Sequence, residues 1–358
     1  MSPSSGKPIA APASGSSLTR GLTVAVTGPT GDIGRAFLRE LDTTPGVQQV
    51  VGMARSPFDP EAEGLTRTEY QQGDILDQDS VARVVEGADV VVHLAFLIWG
   101  SKSETRTVNL EGSRNVFTAA LDAGVERLVY TSSVAAYGWH DDNPDWLTED
   151  IPPRGTDAHY YSSQKAELEA ELEILARGSS TDVYVFRPCI VAGPTALSLV
   201  TKIPYVQLGE KLPAPLKKVI DALPRLRPIV PDPGLSFQLI HEADVARALV
   251  AAVLGKGTPG VYNLAAEGEI TVSDVARALG WYTIPLPDVA LDATVKVVSR
   301  FPYLPTQAAW LNSIKVPVLM DCTKARKELD WEPVHDAFDT LAATVHAARN
   351  AGIPLTKT

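Results

Sequence analysis

Thirteen residues, Leu22 to Gly34 (LTVAVTGPTGDIG), constrain this 358-residue chain more than any other stretch. Leu22 to Val26 is a short apolar run with β-branched residues, the pattern of a strand buried on both faces. The run breaks at Gly28-Pro29-Thr30-Gly31, and Phe37, Leu38 and Leu41 then recur at helical spacing. A strand, a tight glycine turn and a helix start, in that order, make an anion site. Backbone N–H groups and the positive end of the helix dipole face whatever lies over the turn. Gly28 and Gly31 let the backbone turn and approach a pyrophosphate, and Gly34 lets the helix pack closely. Thr30, Asp32 and Ile33 share the turn and are candidate contacts of the same ligand. The spacing is G-x-x-G-x-x-G, not the commoner G-x-G-x-x-G. In this context the pattern points to a dinucleotide; a plain surface turn is the competing reading.

The rest of the chain extends the same alternation. Val47–Met53, Thr66–Gln72, Ala88–Phe96, Glu126–Ser132 and Thr181–Arg187 read as strands. Helical patterns separate them at Gln78–Glu86, Ser103–Ala123 (ended by Gly124) and Ala158–Arg177. This predicts an α/β fold, a Rossmann-type doubly wound parallel sheet. Beyond Pro188 the texture changes, with prolines at 204, 213, 215, 224, 228 and 231. Phe237–Ile240, Glu242–Leu254 and Gly260–Leu264 look like a strand, a helix and a strand returning to the sheet. Thr271 or Ser273 caps a helix to Leu279, and a last helix runs from Asp336 to Arg349. The expected organisation is a disordered tail over 1–20 and a dinucleotide-binding domain over 21–193 with 234–265. A smaller mixed substrate lobe would comprise 194–233 and 266–358, including Trp310.

Charge and cysteine use exclude several classes. A formal net charge of −11 argues against a general nucleic-acid or anionic-membrane surface. Two cysteines, Cys189 and Cys322, make neither a disulfide framework nor a metal cluster, and His93 and His241 lack the partners of a metal site. No metal is expected. The first twenty residues have no apolar signal region, and no apolar run spans a membrane, so a cytoplasmic protein is expected.

The chemistry lies in Tyr161 and Lys165, four residues apart at the start of the long helix (YSSQK) and therefore on one face. An ammonium near a phenol favours the phenolate, which suits a general acid/base for carbinol–carbonyl interconversion. Such pairs are common on exposed helices, so the pair gains weight from Ser133, at the end of the strand leading into this helix. Its hydroxyl can bind the substrate oxygen whose proton Tyr161 moves; a capping serine is the plainer alternative.

The segments TGPTGDIG, VYTSSVAAYG (Val129–Gly138) and YSSQK resemble the short-chain dehydrogenase/reductase superfamily, and the glycine spacing and size resemble its extended branch, the NAD-dependent epimerase/dehydratase family. QGDILD, HLAF, VNLEGSRNV, FRPCIVAGP and LIHEADVA follow in the family's order over roughly 22–265, and TKARKELDWEP is similar to its C-terminal lobe. The resemblance implies that Ser133, Tyr161 and Lys165 are the catalytic triad. Ser133 is chosen over Ser132 because it stands four before Tyr137, and Tyr161 over Tyr160 because it stands four before Lys165. It further implies that Tyr161 and Lys165 also touch the cofactor. Asp74 and Ile75 would contact the adenine, and Ala95 would line the nicotinamide side. Pro188 would belong to the cofactor site, and Asn109 would be a structural residue that helps hold a water on Lys165. The family commonly dimerises through the helices at 103–123 and 158–177, so a homodimer is expected.

Cofactor choice is read at the end of the second strand, where an acidic residue suits the ribose 2′-hydroxyl of NAD and an arginine suits a 2′-phosphate. Here Ala54 stands where the acid is expected and Arg55 follows, which favours NADP(H) over NAD(H). An exposed loop arginine is the alternative. Nucleotide-sugar members of the family carry an Asn three after the arginine of FRP and an Arg four before the histidine of LIH. This chain has Ile190 and Phe237 there, although Arg225 or Arg227 could substitute. Phe96, Leu97, Trp99, Trp139 and Trp146 flank the expected pocket. These features predict an NADP-preferring oxidoreductase for a rather apolar small molecule, with Phe96, Trp99, Ser133, Trp139 and Phe237 lining its site. The alternatives are a nucleotide-sugar epimerase or dehydratase with retained NAD, and a silent NADP-sensing protein.

Overall fold

The computed structural model describes residues 20–203, 206, 228–285, 316–353 and 355. Residues 1–19 of the expected tail over 1–20, with Pro204, Pro213, Pro215, Pro224, Arg225, Arg227 and Trp310, lie outside the described residues. The first half runs β1 (Leu22–Thr27), α1 (Asp32–Thr43), β2 (Val47–Ala54), β3 (Thr68–Gln72), α2 (Gln78–Val85) and β4 (Val90–His93). It continues through α3 (Lys102–Arg106), a π turn (Thr107–Glu111), α4 (Gly112–Asp122), β5 (Arg127–Thr131), a 3-10 turn (Val134–Ala136) and α5 (Tyr160–Leu175). Then come β6 (Asp182–Pro188), β7 (Ile190–Ala192), α6 (Ser198–Thr201), β8 (Ile229–Asp232) and β9 (Leu239–His241). The chain closes with α7 (Glu242–Val253), β10 (Gly260–Leu264), α8 (Val272–Leu279), β11 (Tyr282–Pro285), α9 (Thr323–Leu329) and α10 (Ala337–Asn350).

Seven strands form one sheet in the order β3-β2-β1-β4-β5-β6-β10, every pair parallel. Residue alternation divides each strand between two cores, as the period of two requires. Val24, Val26, Val90, Val92, Val129, Tyr184 and Phe186 face α1 and α7, with Phe37, Leu38, Leu41, Val245 and Leu249. Ala25, Val91, Leu128, Tyr130 and Val185 face α2, α4 and α5, with Val84, Val116, Phe117, Leu168 and Leu172. Strands apolar on both sides are therefore those covered by helices on both sides. A third core joins Leu239, Ile270, Leu279, Trp281, Leu341 and Val345 around α8 and α10, beside the two-stranded parallel pairs β7–β9 and β8–β11.

Two elements differ from the sequence reading. The run Ala88–Phe96 predicts a nine-residue strand, but β4 stops at His93. Beyond Leu94, whose N–H donates to Thr27 O at 3.0 Å, the backbone leaves the ladder, and Asn109 takes over its polar groups. Asn109 Oδ1 accepts from Leu97 N–H at 2.7 Å and Nδ2 donates to Leu97 O at 3.0 Å. The single helix predicted at 103–123 is interrupted by the π turn that holds Asn109, which is fully buried and also donates to Gln164 Oε1 at 2.8 Å. Other signals are realised: Thr271 and Asp274 form a reciprocal capping box on α8, and Asp336 caps α10.

His93, at the end of β4, is fully buried between Thr27 Oγ1 (2.6 Å) and Ser113 Oγ (2.8 Å), and stacks on Tyr130. Burial, with the Lys165 charge nearby, pushes its imidazole down to about 3. The unfolded chain binds this proton near pH 6.5 and the folded chain does not, so stability falls as pH drops from about 6.5 towards 3. Comparing urea unfolding at pH 7 and pH 5, His93→Gln should shrink the difference by about 2 kcal/mol. An unchanged difference would show that His93 is not held neutral.

Candidate active site

Because all seven strands are parallel, the ends of β1, β2, β4, β5 and β6 lie along one edge, and the strand order reverses between β1 and β4. Crevices outside such carboxyl ends, at the reversal, are where ligands of this architecture bind. The glycine turn sits there. Gly28 has φ +78°, and a Cβ on it would stand 2.6 Å from Ala95 N. A Cβ on Gly34 would stand 2.3 Å from Gly28 O, so α1 packs directly onto the turn. Gly31 is different: its Cβ would meet Gly28 O at 3.5 Å, an ordinary contact, and the residue is exposed. It is the N-cap of α1, and no side chain caps the helix there. Asp32 is tied to the lobe, its Oδ2 accepting from Ser198 Oγ at 2.8 Å, and Ile33 packs on the core beneath the sheet.

The second group of candidates meets at the ends of β4 and β5 and the first turns of α5. Ser133 is buried, takes Ala135 N–H on its Oγ at 3.2 Å, and hydrogen-bonds the Tyr161 phenol. It thus also fulfils the plainer role of cap to the 3-10 turn. Phe96 meets Tyr161 edge-on with centroids 5.4 Å apart, and Lys165 Nζ lies 3.8 Å from the Phe96 centroid. Lys165 donates to Thr131 O at 2.8 Å and Tyr130 Oη at 3.3 Å. The sequence reading lets the Lys165 ammonium lower the Tyr161 pKa. Here burial raises the phenol above its ordinary value, and the bond from Ser133 is what opposes it. Burial also pushes the Lys165 amine down to about 7, with Glu169 acting to raise it.

The remaining candidates are distributed along the same edge or away from it. Arg55 is exposed just past β2, its carbonyl accepting from Gln72 Nε2 at 2.8 Å. Asp74 Oδ1 accepts from Leu76 N–H at 3.0 Å, while the Ile75 side chain is buried against Gly112 in the core. Pro188 ends β6 opposite Leu264, and Ala95 covers Gly28. Trp99 lies 5.5 Å from Lys202 Nζ, and Trp139 packs on His159 with centroids 5.1 Å apart. Trp146 is half exposed. Phe237 is paired through its backbone with Ile270 and packs on the core of α8 and α10. Three features escape the sequence reading. His159 caps α5, Lys202 faces Trp99, and a buried Glu169–Arg187 pair (2.5 Å) lies behind Lys165. The spacing of Lys165 and Glu169 on one helical face was a usable signal for the last.

A doubly wound parallel sheet carrying a glycine turn at its reversal point defines a Rossmann-type protein. More specifically, the chain belongs to the NAD dependent epimerase/dehydratase family, whose model matches residues 24–265. Binding of a nicotinamide cofactor is typical of that family. The chain is 27% identical over 331 residues to an uncharacterized protein of Mycobacterium tuberculosis, covering 88% of this chain and 82% of that one. It is 30% identical over 187 residues to the 2-alkyl-3-oxoalkanoate reductase of Shewanella oneidensis, half of this chain and 47% of the relative. It is 31% identical over 179 residues to the sterol demethylase protein B of Methylococcus capsulatus, 48% and 52% of the two chains. Both matches thus span about half of each relative. Among solved structures, the UDP-glucose 4-epimerase of Thermotoga maritima superposes with a TM-score of 0.68 at 18% identity, over 92% of this chain and 99% of that one. Among the described residues no helix is long and apolar enough to cross a membrane, and no group of three or more metal-ligating side chains occurs.

The glycine geometry separates stability from ligand approach. Gly34→Ala forces a backbone shift and should destabilise the fold by about 1–3 kcal/mol. Gly31→Ala should cost under about 1 kcal/mol and instead weaken cofactor binding. Thermal unfolding with and without NADPH checks both; equal destabilisation by the two variants would refute the division.

Proposed function

We propose that this chain is an NADPH-dependent reductase of a carbonyl on a rather apolar small molecule, the reverse oxidation included. The observation that carries this reading is the cluster of Ser133, Tyr161, Lys165 and Phe96 at the same sheet edge as the glycine turn. In the proposal the turn Gly28–Gly34, with Thr30, Asp32 and Ile33, receives the pyrophosphate on backbone N–H groups. Asp74 and the backbone at Ile75 border the adenine, and Ala95 and Pro188 border the nicotinamide. When bound, that ring supplies or takes up the hydride.

The chain's own part is positioning and proton transfer. Ser133 hydrogen-bonds the substrate oxygen, and Tyr161 passes a proton to it or takes one from it. Burial keeps the phenol protonated at neutral pH, which suits a proton donor and hence the direction of reduction. Lys165 sits at the amine's balance point near pH 7, so a ribose or phenolate charge beside it decides its state. Arg55 supports the preference for NADP(H): a guanidinium at the end of β2, with alanine before it, suits a 2′-phosphate and repels nothing. The ring of Phe96 on the catalytic tyrosine, and Trp139 beside His159, support an apolar substrate. Ile190 and Phe237, in place of polar handles for a sugar nucleotide, point the same way. So do the names of the two relatives matched over about half their length, a 2-alkyl-3-oxoalkanoate reductase and a sterol demethylase protein B. A homodimer through α4 and α5 is part of the proposal. Its interface would be polar, since Arg106 at the end of α3 and Arg114 on α4 already bridge to Glu167 and Glu171 on α5 within one protomer; sedimentation velocity checks it.

Fluorescence titration of the purified protein should show exchangeable NADPH binding, tighter than NADH. In Arg55→Ala the preference should fall about tenfold, the value of one charge-assisted contact. Tightly retained NAD with no preference would instead favour the epimerase or dehydratase chemistry. Tyr161→Phe should bind NADPH normally yet lose about a hundredfold or more in turnover. A 2-alkyl-3-oxoalkanoate ester and an aromatic ketone are the first probes of that turnover; full activity of Tyr161→Phe would exclude the proton-transfer role.

A further inference from the structure

Two serines stand side by side at the end of β5, and the proposed chemistry uses only the second. The backbone turns them apart. Ser132 N–H donates to Phe186 O on β6 at 2.7 Å, and its hydroxyl donates to Glu169 Oε1 on α5. Ser133 lies in extended backbone, φ −165° and ψ 155°, and its hydroxyl meets Tyr161. Glu169 stands one helical turn beyond Lys165 and two beyond Tyr161. Its carboxylate also receives Arg187 Nε at 3.0 and 3.1 Å and Nη2 at 2.5 Å, and Arg187 follows Phe186 on β6. Ser132, Glu169 and Arg187 are 2%, 7% and 1% exposed. One buried carboxylate therefore joins the end of β5, the start of α5 and the end of β6.

We propose that Ser132 and Glu169 are positioning residues: the bond between them fixes the end of β5 against α5 and so holds the Ser133 hydroxyl on the Tyr161 phenol. The inference rests on the catalytic reading of Ser133 and Tyr161. The β5–β6 register ends at Thr131 opposite Phe186, and Ser133 already caps the next turn. Ser132 is the residue between, and its hydroxyl is the side-chain link there between the strand and α5. Lys165 adds a second tie one residue earlier, through Thr131 O at 2.8 Å. Arg187 holds both carboxylate oxygens, so Glu169 presents its acceptor to Ser132 in a fixed orientation. Glu169 and Ser132 need touch neither substrate nor cofactor to matter. A displacement of an ångström at Ser133 is enough to break the alignment with Tyr161.

The test reads Tyr161 directly and needs no substrate. The full chain is labelled with 13Cζ-tyrosine and titrated by NMR, the Tyr161 resonance being assigned with Tyr161→Phe. Among the described residues Ser133, Phe96, Tyr130 and His159 face this phenol, with the Lys165 ammonium beyond Phe96 on Tyr130 Oη and Thr131 O, and the bond from Ser133 holds its midpoint down. Ser133→Ala should raise the midpoint by about half a unit or more, the size of one lost hydrogen bond. Ser132→Ala should raise it in the same way, while Ser132→Thr, which keeps the hydroxyl, should restore the native value. Ser132→Cys, which keeps the volume with a weak donor, should fall between and serves if the alanine variant does not fold. A native midpoint in Ser132→Ala or Ser132→Cys, with Ser133→Ala shifted, overturns the positioning role alone. No shift even in Ser133→Ala would remove the Ser133–Tyr161 pairing, and the inference with it.

Discussion

The close approach of Gly28 to the backbone of Ala95 is the contact on which this architecture turns. A side chain at 28 would stand 2.6 Å from Ala95 N, in a backbone conformation that side chains avoid. With glycine there, β1 and β4 finish side by side and the chain folds back tightly enough to start α1 over the same edge. Gly34, pressed on Gly28 O, brings the helix down onto the turn. The N-terminus of α1, the loop after β4 and the end of β5 then lie along one edge of the sheet. The position of Phe96 over Lys165 follows from this, because residues 94–97 must leave the sheet to clear the turn, and Asn109 catches them through Leu97.

Electrostatics explains why the site is built on α5. Placing a lysine, a glutamate and an arginine in the interior costs several kcal/mol of desolvation per charge, and removing one partner of such a pair costs about 3–5 kcal/mol. The cost is tolerable because Glu169 and Arg187 bind each other at several points and Ser132 occupies the carboxylate further. Among the described residues Lys165 has no carboxylate in direct contact; its bonds go to a carbonyl and a phenol, and rings of Phe96 and Tyr130 flank it. Its amine is accordingly down near 7 while Arg187, bonded to Glu169, is raised. The fixed charges hold the scaffold; the adjustable one lies between Phe96 and the end of β5.

The parallel sheet was legible because its strands are apolar on both faces, a signal that survives without knowledge of partners. Val24 to Val26, Val90 to Val92 and Leu128 to Tyr130 each feed two cores, and only buried parallel strands do so. Of the candidate site, what was legible is placement: the shared helical face of Tyr161 and Lys165, and the tight turn at Gly28. The end of β4 was not, because residues 94–96 are as apolar as the strand before them. What holds the chain out of the ladder there is Asn109, whose Oδ1 accepts from Leu97 N–H twelve residues before it. The placement of Lys165 relative to Tyr161 also depends on tertiary contacts that the sequence does not show. Helical spacing places both on one face, but Thr131 O and Tyr130 Oη draw the ammonium towards β5.

That last displacement bears on how the site works. A lysine bonded to the phenol from the outset would favour phenolate, and a proton donor would be half spent before substrate arrived. Here the phenol is buried and high, steadied by Ser133, while Lys165 waits at its balance point against the strand. A ligand that brings hydroxyl oxygens or negative charge beside Lys165 stabilises the ammonium, since opposite charge and hydrogen bonding both favour the charged form. The ammonium in turn lowers the cost of phenolate. In the proposed function, the proton on Tyr161 therefore becomes transferable when cofactor and substrate are bound, and is retained without them. Burial, usually a penalty for ionisable groups, would on that proposal make the acid conditional on its ligand.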